Sequence, residues 1–335
     1  MTTYGDAGVS IDAGNRTVEL IKPLAEATQG PEVLAGIGPF CGLFALDTSR
    51  YQRPVLIAST DGVGTKVLLA SQAGRHAQIG ADLVNHCVND ILTAGADPLF
   101  FLDYVATGRL EPPIVAEVVA GMANACRRVN CALLGGETAE MPGVYQPATY
   151  DIAGFMVGVS ERAGIIDGTA IREGDALLAL PSSGLHTNGY SLARRVIPSQ
   201  ALGQQMPGTG ETVLDALLTP HRPYLDPIRR LRQQITIKGL AHITGGGIVG
   251  NLPRVLPLGL AGRIQRGTWP EPAIFSYLAP FVDDDEMWRT FNMGIGMIAV
   301  VDERAAATAL RLLEGEIFVV GDIVRSGQRR VQILE

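Results

Sequence analysis

The order of apolar and polar positions along the chain predicts alternating strands and helices. Residues 54–60, PVLIAST, are apolar and β-prone and predict a strand. A glycine loop, DGVGTK, follows and leads into an apolar pattern of helical spacing. Residues 79–96 predict a helix that ends at Gly95, a C′ residue. PLFFLDYVAT predicts a second strand, and residues 112–129 predict an amphipathic helix opened by Pro112-Pro113. CALLGG and YDIAGFMVGVSE read as the third and fourth strands.

A polar, turn-rich stretch between residues 160 and 175 then changes the texture, and ALLALPSSG opens a new strand–loop unit. The second half continues with the loop SSGLHTNGYS, a helix at LARRVI, and the segment AHITGGGIVGN. It closes with strand, helix and strand over FNMGIGMIAVVDERAAATALRLLEGEIFVVGDIV. The pattern predicts two domains, 1–165 and 166–335, of α+β or α/β type. Regular βαβ crossovers are not evident, which weakens a doubly wound sheet.

Composition narrows this picture. The 335 residues exceed what one hydrophobic core usually serves. Forty glycines are well above the usual ~7% share, and they cluster without a period. Such clusters mark loops that approach a ligand or need positive φ. A net charge of −7 with no basic stripe argues against a nucleic-acid partner. Arg229-Arg230-Leu231-Arg232 reads as the solvated face of a helix. Cys41, Cys87, Cys126 and Cys131 form no CxxC pair and read as buried, reduced thiols. No signal peptide and no apolar run of membrane-spanning length is visible, so a cytoplasmic protein with no membrane partner is expected.

Three stretches carry candidate chemistry. TDGVGTK has glycines and Lys66 like a phosphate loop, but also Asp61; a turn with a capping Asp explains it equally well. VNDILTAGADP sets Asn89 and Asp90 in an apolar helix, where an unpartnered carboxylate costs several kcal/mol. LLGGETAEMPG joins Gly135 and Gly136 to Glu137 and Glu140. If Asp61, Asp90 and Glu137 meet, each like-charged pair at ~4 Å repels by roughly 4 kcal/mol at an effective dielectric near 20. Mg²⁺ between carboxylates and phosphate turns that repulsion into attraction. In the second half, Ser182, Ser183, His186, Thr187 and Asn188 sit on a glycine-broken loop before a helix, an arrangement suited to an anion. His242, Thr244 and the glycines 245–247 form a second backbone cradle.

These stretches, with YGDAGVSIDAGN near the start and EMWRTFNMGIGM near the end, closely resemble the phosphoribosylformylglycinamidine cyclo-ligase (aminoimidazole ribonucleotide synthetase) family of purine biosynthesis. The resemblance runs from Tyr4 to Met297. It implies two mixed-sheet domains, an N-terminal domain that pairs in a homodimer into a β-barrel-like sheet, and a C-terminal α/β sandwich. It implies ATP-dependent ring closure of formylglycinamidine ribonucleotide to 5-aminoimidazole ribonucleotide, with ADP and phosphate released. ATP and Mg²⁺ would meet Asp61, Gly62, Gly64, Thr65, Lys66, Asn89, Asp90, Gly135, Gly136, Glu137 and Thr138, with Asp61, Asp90 and Glu137 on the metal. The substrate would meet Ser182, Ser183, Gly184, Asn188, Gly189, Thr244, Gly245 and Gly246. Lys66, His186 and His242 would be the catalytic side chains. The chain departs from the family at Leu185, where a proline is usual, which predicts a looser loop. A kinase of the same architecture, such as one acting on thiamine monophosphate, is the alternative reading.

Overall fold

The computed structural model describes residues 2–335. The chain divides into two compact units, one of residues up to Ile91 with Ala96–Gly164, the other of Leu92–Gly95 with Ile165–Glu335.

In the first unit, α1 (Ile11–Glu26) starts at Ser10, whose Oγ accepts the Ala13 N–H. A short hairpin, β1 (Val33–Ala35) and β2 (Leu43–Phe44), follows. The sheet is built from β3 (Pro54–Gly62), β4 (Asp97–Thr107), β5 (Ala132–Glu140) and β6 (Tyr150–Glu161) in the order β3-β6-β4-β5. The β4–β5 pair is parallel and the other two are antiparallel, so the sheet is mixed. Helices α2 (Lys66–Ala73), α3 (His76–Leu92) and α4 (Pro112–Arg128) complete the unit. Gly95 has φ 79°, as expected of the residue that ends α3.

Along β3 the even-numbered residues are exposed from Pro54 to Thr60 while the odd-numbered ones are half-buried. That period of two marks one covered face and one open face. Leu56 (60% exposed) and Phe155 (44%) lie on the open face.

In the second unit the strands are β7 (Ala176–Pro181), β8 (Ile237–His242), β9 (Leu260–Gln265), β10 (Ile295–Val301), β11 (Phe318–Arg325) and β12 (Val331–Leu334). They pair in the order β12-β9-β11-β7-β10-β8, with only β12–β9 parallel. The continuous apolar runs ALLAL and IGMIAVV predict strands buried on both faces, and β7 and β10 are central and buried almost throughout. Helices α5 (Tyr190–Val196), α6 (Val213–Leu218), α7 (Leu225–Arg232), α8 (Gly247–Asn251), α9 (Ala273–Leu278), α10 (Asp284–Thr290) and α11 (Ala306–Leu312) complete the unit.

Several expectations need correction. The third strand does not stop at Gly136 but continues through Glu140, because β4 offers a parallel ladder as far as Thr107. Cys41 is exposed; only the other three thiols are buried. Leu185 is buried, so the loop it occupies is anchored by packing rather than loosened.

Candidate active-site clusters

In the first unit, strand and helix periods combine to bring four polar side chains together. Ser59 and Asp61 are two apart on β3 and share a face. His86 and Asp90 are four apart on α3 and share a stripe. Asp61 Oδ2 lies 2.8 Å from His86 Nε2, and Asp61 Oδ1 accepts the Gly62 N–H at 2.7 Å. Asp90 Oδ2 accepts the Ser59 hydroxyl at 2.8 Å and stands 3.8 Å from the same His86 nitrogen. Burial alone would raise the Asp61 pKa, but the His86 hydrogen bond and charge and the Gly62 amide outweigh it, and the net shift is downward. Burial likewise opposes charge on His86, yet Asp61, with Asp90 and Asp82 behind it, carries its pKa upward.

The same helix carries Asp82, Asn85, His86 and Asn89, all buried, at a spacing of three and four residues. A buried polar stripe at helical period reverses the usual amphipathic logic and marks a functional face. Of these four only Asn89 is a candidate from sequence; the 82–85–86–89 spacing is the signal that finds the others.

Lys66 opens α2 and is fully buried, its Nζ 2.7 Å from Asp82 Oδ2, which is fully buried too. Desolvation lowers the Lys66 pKa despite Asp82. The lysine of the glycine loop therefore turns into an internal ion pair. Gly64 supplies a left-handed φ of 55° beside Thr65, which caps α2.

Glu137 does not join Asp61 and Asp90. The register aligns Asp61, Gly154, Asp103 and Gly136 in one row across the sheet. A Cβ on Gly136 would overlap Asp103, so that row points to the face where Asp61 meets α3. Glu137 is the next residue along β5 and points to the opposite face, about 14 Å away at ~4.8 Å per strand. The expected convergence of three carboxylates is thus corrected within one chain to a pair, Asp61 and Asp90. Two adjacent carboxylates with a hydroxyl suit a hard divalent cation, which takes oxygen ligands. Thr138 is on β5, paired with Val105, and Gly135 is paired with Leu102. Glu140 accepts the Ser10 and Leu110 N–H groups, each at 2.7 Å, and so ties β5 to the start of α1 and to the segment before α4.

Asp103, absent from the sequence expectations, is buried in the Asp61 row. Burial pushes its pKa up to about 7.

In the second unit, β7 and β8 are both antiparallel to β10, so they are parallel to each other and end at the same edge. The loops after them meet: Asn188 Oδ1 lies 3.2 Å from where a Cβ on Gly245 would stand. Ser182 Oγ donates to Gly184 O at 2.9 Å, and the Asn292 amide donates to the same carbonyl and lies 2.9 Å from Ser182 Oγ through its Oδ1. Ser183 N–H donates to His186 Nε2 at 3.1 Å, and Ser183 Oγ donates to Pro220 O at 2.6 Å. His186 holds a φ of 61°, unusual for a non-glycine residue. Gly189 has φ 80° and abuts Phe291.

Asn251 Nδ2 donates to the Thr244, Gly245 and Gly247 carbonyls at 3.3, 3.1 and 2.8 Å. The triple glycine also has packing reasons. Gly246 and Gly247 have φ 93° and 60°, and a Cβ on Gly247 would overlap the Trp288 carbonyl of α10. Gly245 needs no positive φ, and its only close neighbour is the Asn188 side chain. The helix after the first loop, α5, has seven residues, too short for its dipole to contribute much. Asn292 and His221 are invisible to local sequence patterns because each lies far along the chain from the loop it touches, whereas Asn251 sits only four to seven residues past the glycines it holds.

The family model for the AIR synthase related protein N-terminal domain matches residues 45–160, and that for the C-terminal domain matches residues 172–333. The chain is 55% identical over 335 residues to the phosphoribosylformylglycinamidine cyclo-ligase of Myxococcus xanthus, covering 98% of this chain and 97% of that one. This chain belongs to the phosphoribosylformylglycinamidine cyclo-ligase family. The Geobacter sulfurreducens member is 53% identical over 331 residues, 96% of this chain and 95% of that one.

Solved structures share the fold at lower identity. Thiamine-monophosphate kinase from Stenotrophomonas maltophilia aligns with a TM-score of 0.71 at 16% identity over 93% of this chain and 95% of that one. Hydrogenase maturation protein HypE in complex with ATP aligns with a TM-score of 0.67 at 19% identity, over 94% and 90%. Among the described residues no helix is long and apolar enough to cross a membrane.

Proposed function

We propose that the chain closes the imidazole ring of 5-aminoimidazole ribonucleotide from formylglycinamidine ribonucleotide, with ATP converted to ADP and phosphate. The observation that carries this reading is identity above 50% to cyclo-ligases over nearly the whole length of both chains. The thiamine-monophosphate kinase likeness, at 16% identity, supports the shared fold and not that activity.

The formamide oxygen is a poor leaving group. Transfer of the ATP γ-phosphoryl to it makes an imidoyl phosphate; the amidine-side nitrogen then attacks that carbon, and phosphate leaves as the C–O bond breaks. Asp61 and Asp90 would hold Mg²⁺, which would neutralise phosphate charge and polarise the transferring group. Gly62, Gly64 and Thr65 offer the nucleotide a close backbone approach, Lys66 supports that loop through Asp82, and Asn89 fixes the α3 stripe beneath. Of the nucleotide contacts expected on β5, Gly136 and Thr138 share the Asp61 face of the sheet, whereas Gly135 and Glu137 point away from it and are not assigned to this nucleotide. Ser182, Ser183, Gly184, Asn188, Gly189, Thr244, Gly245 and Gly246 hold the ribonucleotide substrate. His186 and His242 manage the proton shed by the closing nitrogen.

The protein acts as a cytoplasmic homodimer. The open sheet face with Leu56 and Phe155 supports pairing of first units, and three buried free thiols suit a reducing compartment. The test is a coupled assay with formylglycinamidine ribonucleotide, ATP and Mg²⁺. ADP and the aminoimidazole product should appear in equal amounts; ADP without the aminoimidazole defeats the reading.

A further inference from the structure

The segment Pro220–Tyr224 backs the β7 loop, and the sequence gives it no role. Ser183 Oγ donates to Pro220 O, while Arg222 Nη1 and Tyr224 Oη donate to Pro181 O at 3.3 and 2.9 Å. Those bonds fix His221, which is buried, between the two histidines of the proposed mechanism. The His221 ring stacks on His186 at 3.9 Å between centroids and 19° between planes. Its Nε2 lies 3.1 Å from His242 Nε2, and its Nδ1 lies 3.4 Å from Thr187 Oγ1.

We infer that His221 is a positioning residue for His242, clamping the orientation and proton placement of that imidazole through a direct Nε2–Nε2 hydrogen bond. Such a bond holds one hydrogen between two ring nitrogens, so one donates and the other presents its lone pair. With Nδ1 facing the Thr187 hydroxyl and one ring face on His186, His221 is constrained on three sides. The conformation it imposes on His242 is therefore set before substrate arrives, which is the condition for efficient proton transfer. The inference rests on the cyclo-ligase reading and assigns His242 a partner within it.

His221→Phe keeps a planar ring to stack on His186 but has neither nitrogen. His221→Gln restores an N–H within reach of His242. His221→Phe should lower kcat at least about tenfold, a fraction of the ~10²–10⁴ that positioned proton transfer contributes, with KM for both substrates little changed. His221→Gln should recover at least about threefold over Phe on the same grounds. In the parental protein, ¹⁵N-labelled at its five histidines, a scalar coupling between the His221 and His242 Nε2 nuclei should be seen across the hydrogen bond. A kcat within twofold of parental for His221→Phe overturns the inference. Equal losses in both variants together with lowered unfolding temperatures overturn it too, since packing alone gives that result. If His221→Phe does not fold, the ¹⁵N coupling decides, and its absence overturns the inference. A parental protein that makes no aminoimidazole defeats the activity reading instead, and the coupling still judges the hydrogen bond.

Discussion

Single residues carry the sharpest consequences. Asp61 is the carboxylate on which the acidic cluster turns, with His86 on one oxygen and the Gly62 amide on the other. Asp61→Asn should cut kcat by about 10²–10³, the scale of losses for other electrostatic groups; a near-normal rate at saturating Mg²⁺ would sink its assignment. Asp103 offers a pH test. Its folded pKa of about 7 lies above the unfolded 3.8, so the folded state binds the proton more tightly. Stability is therefore favoured below pH 3.8 and declines as pH rises toward 7. At pH 8 the buried carboxylate costs about 4 kcal/mol at ~1.4 kcal/mol per unit. Asp103→Asn should raise denaturant stability at pH 8 by a large part of that and change it little at pH 4. An equal effect at both values would contradict the burial argument. Asp90 is legible in sequence because an acid in an apolar helix needs a partner, and Asp61 because a carboxylate in a phosphate-type glycine loop calls for a cation. Asp103 was not, because FLDYVAT reads equally as a strand with an outward Asp.

At the scale of elements, α3 and the glycine loops differ in how openly they declare themselves. The length and end of α3 follow from apolar spacing and Gly95, but its buried stripe Asp82–Asn85–His86–Asn89 breaks the rule that the polar side faces water. Lys66 belongs to that stripe through Asp82, so a lysine that looks like a phosphate ligand in sequence is an internal pair in the fold. The triple glycine shows the converse. Its cost looked like a ligand's signature, yet Gly247 is needed for α8 to approach α10. Gly247→Ala should destabilise the protein by about 1–3 kcal/mol, since positive φ and overpacking act together. Chemical unfolding measures it, and an unchanged midpoint would refute the packing account.

For the whole molecule, the sheet of the first unit leaves an apolar face uncovered, and Glu137 points to that face. A homodimer paired there should sediment at twice the 35.5 kDa chain mass. Leu56→Asp with Phe155→Asp should give a folded monomer with little activity; a dimer that survives both changes would place the interface elsewhere. The pattern of strands was legible, since β3 alternates and β7 and β10 are continuously apolar. Sheet order was not, because pairing β6 between β3 and β4 is a long-range event that no local period encodes.

Most elements after residue 54, the change of texture near residue 165, the candidate loops and the family can be read from the order of residues. Local periodicity, turn chemistry and a set of motifs in order suffice for these. Tertiary structure alone decided which side chains share a site. Whether a carboxylate faces α3 or the open side depends on one step of strand register, which separated Glu137 from Asp61 and brought Asp103 into line. Whether a histidine has a partner depends on segments distant in sequence packing together, which put His221 between His186 and His242.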